Sequence, residues 1–482
     1  MFTTALLTLG LAALCAHAAP TGPAKRDSGT KAVFAHFMVG FTDNYGAADW
    51  AEDITAAHNA GIDGFALNVG SDSWQPSQVA AAYQAAESSG TGFKLFLSLD
   101  MSSLSCASPS DAANLRNWVS TYSGHPNQFY YNDRIFVSTF AGESCTFGQS
   151  SVSAGWSSQF TGQLTGSNAV YFVPSFFVDP ATFNQYSIDG AFNFNSGWPI
   201  SLTTDTANQQ LSADGESLSN TSPSDEEEIT QILLPNVGAI GTDQQYVSGI
   251  GSVTSQAGGP TAYMGAVSPW FFTHYGPDSY NKNWIYYADS HLYNTRWENI
   301  IANRDLFDLV EIVTWNDYSE SHYIGPIHGD QPGSQDWVNG FDHTAWLNMT
   351  AYYVSAYKTG SYPTVTEDAI FIWARPHPKN ANAPDPVPKP TNYEMARILT
   401  QDLMWAVVFA AAECDVTLWT SDTNSQDFTI QAGVTKINMP LTETGGYMRQ
   451  CLDDPSGNLA DGTIAQIWTC TDNDVYQVWT LS

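Results

Sequence analysis

The sequence predicts an α/β fold: a (β/α)8 barrel of the TIM type, followed by a C-terminal β-sandwich domain. Three observations carry that expectation. Eight apolar, β-branched runs fall at 32–39, 62–69, 93–99, 134–140, 170–178, 188–194, 262–267 and 309–315. Amphipathic helix patterns at 49–59, 78–88, 111–122 and 294–303 separate several of them, and strand–helix alternation argues for parallel βα units. Polar and aromatic residues gather just after the runs: His36, Asn68, Asp100, Glu143, Asp179, Trp198, Trp270 and His274, then Asp317 and Glu320. The C-terminal rim of a barrel is where such residues form a working cleft.

The last run is the most informative. Leu309-Val-Glu-Ile-Val-Thr-Trp315 reads as a buried strand and breaks into Asn316-Asp-Tyr-Ser-Glu-Ser321. Asp317 and Glu320 are the candidate catalytic carboxylates. Hydrolysis of a glycosidic bond needs such a pair, one group to protonate the leaving oxygen and one to serve the attack on the anomeric carbon. The competing reading is that both acids cap the following turn, as acids near a helix N-terminus often do.

At 482 residues the chain has room for two or three domains, and 43% hydrophobic content allows large cores. Its 48 acids against 16 Lys and Arg give a net charge of −32. That field repels phosphate backbones and anionic lipid, so neither nucleic acid nor a membrane is expected as a partner. Aromatics at 13% suit a site where sugar rings lie against indole and phenol faces, although cores consume aromatics too.

Residues 1–18 read as a secretory signal, with an apolar run ending in Ala16-His-Ala18. The run falls short of the roughly 20 residues a membrane span needs. Lys25-Arg26 reads as a processing site closing a propeptide over 19–26, which makes the protein secreted, to the medium or the cell wall. Beyond the signal, Cys106 and Cys145 are expected to pair, Cys451 and Cys470 to close a short loop, and Cys414 to be a buried thiol. No CxxC, HExxH or His-rich cluster occurs, so no metal and no cofactor are expected. Asn220-Thr-Ser and Asn348-Met-Thr are candidate glycosylation acceptors.

The barrel is expected over 31–360, with its last helix at 342–357. Residues 201–240 interrupt it between strands six and seven, without a strong period and with the run Ser222-Pro-Ser-Asp-Glu-Glu-Glu228. That stretch reads as a solvated acidic insertion, with a translated intron as the alternative. Pro-rich passages then lead into the sandwich, expected over 361–449, with strand patterns at 404–408, 416–419, 428–430 and 434–439. The tail at 450–482, with Cys451-Leu-Asp-Asp-Pro-Ser-Gly457 and Gln466-Ile-Trp-Thr-Cys470, resembles one repeat of a ricin-type β-trefoil lectin. A trefoil needs three repeats, so sugar binding by the tail is not expected.

Six blocks together resemble glycoside hydrolase family 71, the fungal endo-1,3-α-glucanases or mutanases. They are Ala35-His-Phe-Met-Val-Gly40, Trp50-Ala-Glu-Asp-Ile54, Gly61-Ile-Asp-Gly-Phe-Ala-Leu-Asn68, Phe96-Leu-Ser-Leu-Asp-Met101, Val267-Ser-Pro-Trp-Phe-Phe-Thr-His274 and Trp315-Asn-Asp-Tyr-Ser-Glu-Ser-His-Tyr323. The resemblance implies a barrel with an appended β-sandwich, hydrolysis of α-1,3-glucan, and inversion at the anomeric carbon. It places the catalytic acids in Trp-Asn-Asp-x-x-Glu, at Asp317 and Glu320, with Glu320 read as general acid and Asp317 as base. His36, Asn68, Asp100, Trp270, His274, Trp315, Tyr318 and His322 are the expected substrate-binding residues, and the protein is expected to act as a monomer. A non-catalytic glucan-binding wall protein, or a barrel glycosidase for another linkage, are the alternatives.

Overall fold

The computed structural model describes residues 31–198, 223–285, 289–375, 377–379, 387, 398, 400–421, 424–441, 450–453 and 466–469. The expected signal and propeptide, Asn220, the first half of the insertion and Cys470 lie outside the described residues.

Eight parallel strands form one curled sheet: β1 (Ala32–Met38), β2 (Gly64–Val69), β3 (Lys94–Asp100), β4 (Arg134–Phe140), β5 (Val170–Ser175), β6 (Gly190–Asn193), β7 (Ala262–Val267) and β8 (Leu309–Ile312). Their order is β5-β4-β3-β2-β1-β8-β7-β6, so the first and last strands of the sheet pair at its centre, Ala32 with Leu309 and Ala35 with Ile312. Asp189, just before β6, ties the two outer strands. Its amide donates to the Phe172 carbonyl at 2.8 Å, its Oδ2 accepts from the Phe172 amide at 2.9 Å, and its carbonyl accepts from Ala262 at 3.0 Å.

Alternation along each strand sorts the side chains onto two faces. Phe34, Ala66, Phe96, Phe136, Tyr171, Phe192 and Met264 form one buried cluster. Val33, Phe37, Phe65, Leu67, Leu97 and Val310 pack with the helices, through Trp50 and Ile54 of α1 (Ala47–Asn59) and Val79 and Ala82 of α2 (Gln75–Ser89). Helix starts are encoded locally. Asp49 Oδ2 accepts from the Gly46 amide at 2.7 Å, and Asp111 Oδ2 from the Ser108 amide at 2.8 Å at the head of α3 (Pro109–Thr121). Cys106 and Cys145 are joined, as expected.

The second half of the insertion departs from expectation. Residues 223–233 form the helix Pro223–Leu233, with Ile229, Leu233 and Val237 buried in the same cluster as the sheet's aromatic face. The acidic run is that helix's first turn, where negative charge favours the positive end of the helix dipole. Glu226 Oε2 meets Lys379 Nζ at 2.7 Å.

Helix Leu292–Ala302 precedes β8, and helix Thr344–Thr359 closes the α/β unit at Gly360, whose φ of +79° suits glycine. Beyond it, β9 (Ala369–Trp373), β10 (Leu403–Ala410) and β13 (Gly433–Pro440) make one antiparallel sheet. Strands β11 (Cys414–Ser421) and β12 (Asn424–Ile430) make a hairpin. Met404, Ala406, Leu418, Ile430 and Ile437 form one apolar cluster spanning both. His291 Nε2 lies 3.0 Å from the Ala406 carbonyl and 3.1 Å from that of Ile437, pinning this part to the α/β unit. Cys414 is only half-buried on β11, not the buried thiol expected, because it begins a strand whose neighbours face solvent. In the tail, Gln450–Asp453 pairs antiparallel with Gln466–Thr469, Cys451 facing Trp468 in register. Among the described residues, no helix is long and apolar enough to cross a membrane.

Candidate active site

Strand β8 stops at Ile312, and the chain turns over the end of the sheet through a cis peptide between Val313 and Thr314. The turn is fastened to β1. The Trp315 amide donates to the His36 carbonyl at 2.7 Å, Asn316 Oδ1 accepts from the Met38 amide at 2.7 Å, and Asn316 Nδ2 donates to the Met38 carbonyl at 3.2 Å. Thr314 Oγ1 accepts from the Asp317 amide at 2.7 Å, and the Gly325 amide donates to the Trp315 carbonyl at 2.8 Å. A side chain at Gly325 would place its Cβ 2.6 Å from the Trp315 indole, so the close return of the chain requires glycine there.

This turn brings Asp317, Glu320 and His322 together. His322 Nε2 lies 3.1 Å from Asp317 Oδ2 and 3.1 Å from Glu320 Oε2, off the line of a hydrogen bond to either. The imidazole is stacked on Trp198 at 5.4 Å and meets the edge of Phe271 at 5.3 Å. Lys282, from the hairpin of Phe272–His274 and Asn283–Ile285, pairs its ammonium with Glu320 Oε1. Asp317 is buried, which opposes ionisation. The nearby His322 and Lys282 and a hydrogen bond donated by the Ser319 hydroxyl outweigh that, holding its carboxyl below the usual value. Burial draws the Lys282 ammonium down, with Asp317 pulling the other way.

Among the described residues, Asp317, Glu320 and His322 are the one group of three or more acidic, imidazole or thiol side chains whose donor atoms all come within 4.8 Å of one another. The Lys282 ammonium supplies a cation to that group through Glu320.

The other expected residues are placed differently. Trp315 and Tyr318, expected to bind substrate, are wholly buried. The Trp315 ring packs 5.1 Å from Phe65, and the Tyr318 hydroxyl donates to the Pro326 carbonyl at 2.6 Å beside Tyr323. Both are the apolar underside of the turn, where aromatic bulk offsets its polar upper side. Asp100 Oδ1 accepts from the amide and hydroxyl of Ser102 at 3.0 and 2.6 Å, the arrangement of a loop cap. Trp270 is half-buried under the Arg375 guanidinium, 4.9 Å above its ring, and His274 Nδ1 lies 3.2 Å from Asn283 Oδ1 on the hairpin. Asn68 is buried at the end of β2. His36 sits on β1, its Nδ1 2.6 Å from Glu311 Oε1, and reaches the turn through its carbonyl.

Two residues near the site escaped the sequence reading. Lys282 carries no local signal, since a lysine in a polar turn is ordinary. Glu311 did carry one: a lone acid inside a β-branched strand must be buried and must find a partner. Asn348 is exposed on its helix, while the Thr350 hydroxyl is buried against Tyr293.

Residues 29–476 match the family described as Glycosyl hydrolase family 71. The match runs past residue 450, so the tail, read above as a lectin-like repeat, falls within the family's own span. A glucan endo-1,3-alpha-glucosidase of Schizosaccharomyces pombe is 37% identical over 442 residues, covering 91% of this chain and 91% of the relative. A mutanase of Penicillium rubens is 32% identical over 445 residues, covering 91% and 85%. An ascus wall endo-1,3-alpha-glucanase of Schizosaccharomyces pombe is 31% identical over 422 residues, covering 85% and 86%.

Proposed function

The chain belongs to glycosyl hydrolase family 71, and on that premise we propose that it hydrolyses α-1,3-glucan with Asp317 and Glu320 as its catalytic pair. The observation that carries this is the meeting of both carboxyls around His322 on the turn after β8. Asp317, kept ionised, serves as base, and Glu320 delivers a proton to the glycosidic oxygen. The curled sheet is read as a (β/α)8 barrel, and β9 to β13 as a β-sandwich supporting it. Asn68, Asp100, Trp270 and His274 flank the glucan on this reading. The enzyme is secreted and monomeric, and its acidity keeps it off nucleic acid and membrane surfaces.

Inversion, the outcome the family resemblance implies, sets the carboxyls about 6.5–9.5 Å apart to admit a water. The nearer oxygens of Asp317 and Glu320 lie within 4.8 Å of one another, a closest approach compatible with either outcome. The second outcome is retention through attack by Asp317, for which about 5–5.5 Å between the carboxyls is usual. The test is reducing-sugar release from insoluble α-1,3-glucan, with α-1,4- and β-1,3-glucans as controls. Early proton NMR of the product's anomeric signal then separates the two outcomes. Release from the controls alone removes the α-1,3 assignment.

A further inference from the structure

Both Glu320 oxygens face nitrogen partners in the free protein, Oε1 the Lys282 ammonium and Oε2 the His322 imidazole at 3.1 Å. A general acid must instead carry a proton and present it to the leaving oxygen. The group on Oε1 therefore has to leave before Glu320 can work. Lys282 is placed to do so. It ends the linking segment of the hairpin, where its carbonyl accepts from the Tyr275 amide at 2.9 Å. The neighbouring tip carries Tyr280, 79% exposed. Its Nζ also lies 5.9 Å from the centre of the Phe271 ring, a face that attracts a cation.

We propose that Lys282 is a positioning residue that holds Glu320 as a carboxylate in the free protein and releases it when a glucan chain takes the ammonium's place at Oε1. As the ammonium withdraws toward Phe271, the carboxylate takes a proton from solvent and later passes it to the glycosidic oxygen. The charged and titratable groups facing this event are Asp317 and His322 from the turn, and Lys282 and Tyr275 from the hairpin. The inference rests on Glu320 being the general acid of the proposed reaction.

The test follows the Glu320 carboxyl by carbon-13 NMR in the full chain without substrate, with Glu320→Gln identifying its signal. Lys282→Met is expected to raise the Glu320 midpoint by about one pH unit or more, and Lys282→Arg to leave it near the wild-type value. On α-1,3-glucan, the basic limb of kcat/KM, which reports the free enzyme, moves up equally in Lys282→Met. The basic limb of kcat, which reports the bound complex, stays in place. A lysine that merely braces the hairpin would move neither midpoint nor limb. Lys282→Gln guards against a poorly folded Met variant, and an unmoved midpoint in both overturns the proposal. Wild-type protein that releases no sugar would instead remove the glucan reading, while the NMR midpoint still decides the lysine's part.

Discussion

Asn316 and Met38, 278 residues apart in sequence, exchange two hydrogen bonds: the Met38 amide donates to Oδ1 at 2.7 Å, and Nδ2 donates to the Met38 carbonyl at 3.2 Å. The residue next to Asp317 is thus bolted to the first strand. Asn316→Ala removes both bonds and is expected to cost about 1–3 kcal/mol of stability. Misplacement of the carboxyls by about 1 Å would lower kcat on the order of 100-fold. Denaturant unfolding and steady-state kinetics check the two effects separately.

Arg296 and Asp243 form a fully buried two-pronged pair, both contacts 2.7 Å, with the Tyr263 hydroxyl adding a 2.6 Å bond to Asp243 Oδ1. Arg296 also donates through Nε to the Ala266 carbonyl at 2.9 Å on β7. Asp243→Ala strands a buried guanidinium, and the expected loss is about 3–5 kcal/mol. Replacing both residues by apolar ones of similar volume should cost much less. Urea midpoints of the two variants give the comparison.

Burial pushes the Glu311 carboxyl up, against the opposing pull of His36, and burial raises Asp53 likewise. The folded protein therefore keeps protons that the unfolded chain gives up near the ordinary carboxylate range. The resulting stability is fully present below the unfolded value, about 4.3 for Glu, and is lost as pH rises through the raised folded value. Melting temperature should fall as pH rises above about 4.3 in the wild type, and fall less steeply in Glu311→Gln. An equal slope in the two proteins would assign the trend to other groups.

Cys106 and Cys145 close a loop with a sequence separation of 39. Chain-entropy reasoning assigns such a link about 4 kcal/mol through the unfolded state. Reduction, or Cys145→Ser, is expected to lower stability by about that amount while leaving the Asp317 turn in place. Thermal unfolding with and without reductant, followed by an activity assay on the surviving fold, reads both.

Strand positions were legible because short continuous apolar runs bounded by polar exits suit strands buried on both faces, and all eight fall where expected. Asp317 and Glu320 stood out because two acids directly after a buried strand have few structural uses. Exposure was harder to read. Trp315 lies two residues before Asp317 and Tyr318 lies between the two acids, yet both face the core, and the short 3-10 turn at Tyr318–Glu320 sends Tyr318 and Glu320 to different sides. The helix at Pro223–Leu233 was missed although Ile229 and Leu233 are four apart, because its acidic first turn resembled a solvated loop. Lys282 reaches Glu320 only through tertiary folding of a hairpin, which no local pattern announces.

The proposed reaction depends on Asp317 and Glu320 together. Its most direct test is release of reducing sugar from insoluble α-1,3-glucan by Asp317→Asn and Glu320→Gln beside the wild type, with circular dichroism and glucan co-sedimentation as fold and binding controls. Each variant is expected to lose roughly 100-fold to 10,000-fold in turnover, with fold and sedimentation unchanged. Near-normal turnover in either variant would contradict it and remove that residue from the pair.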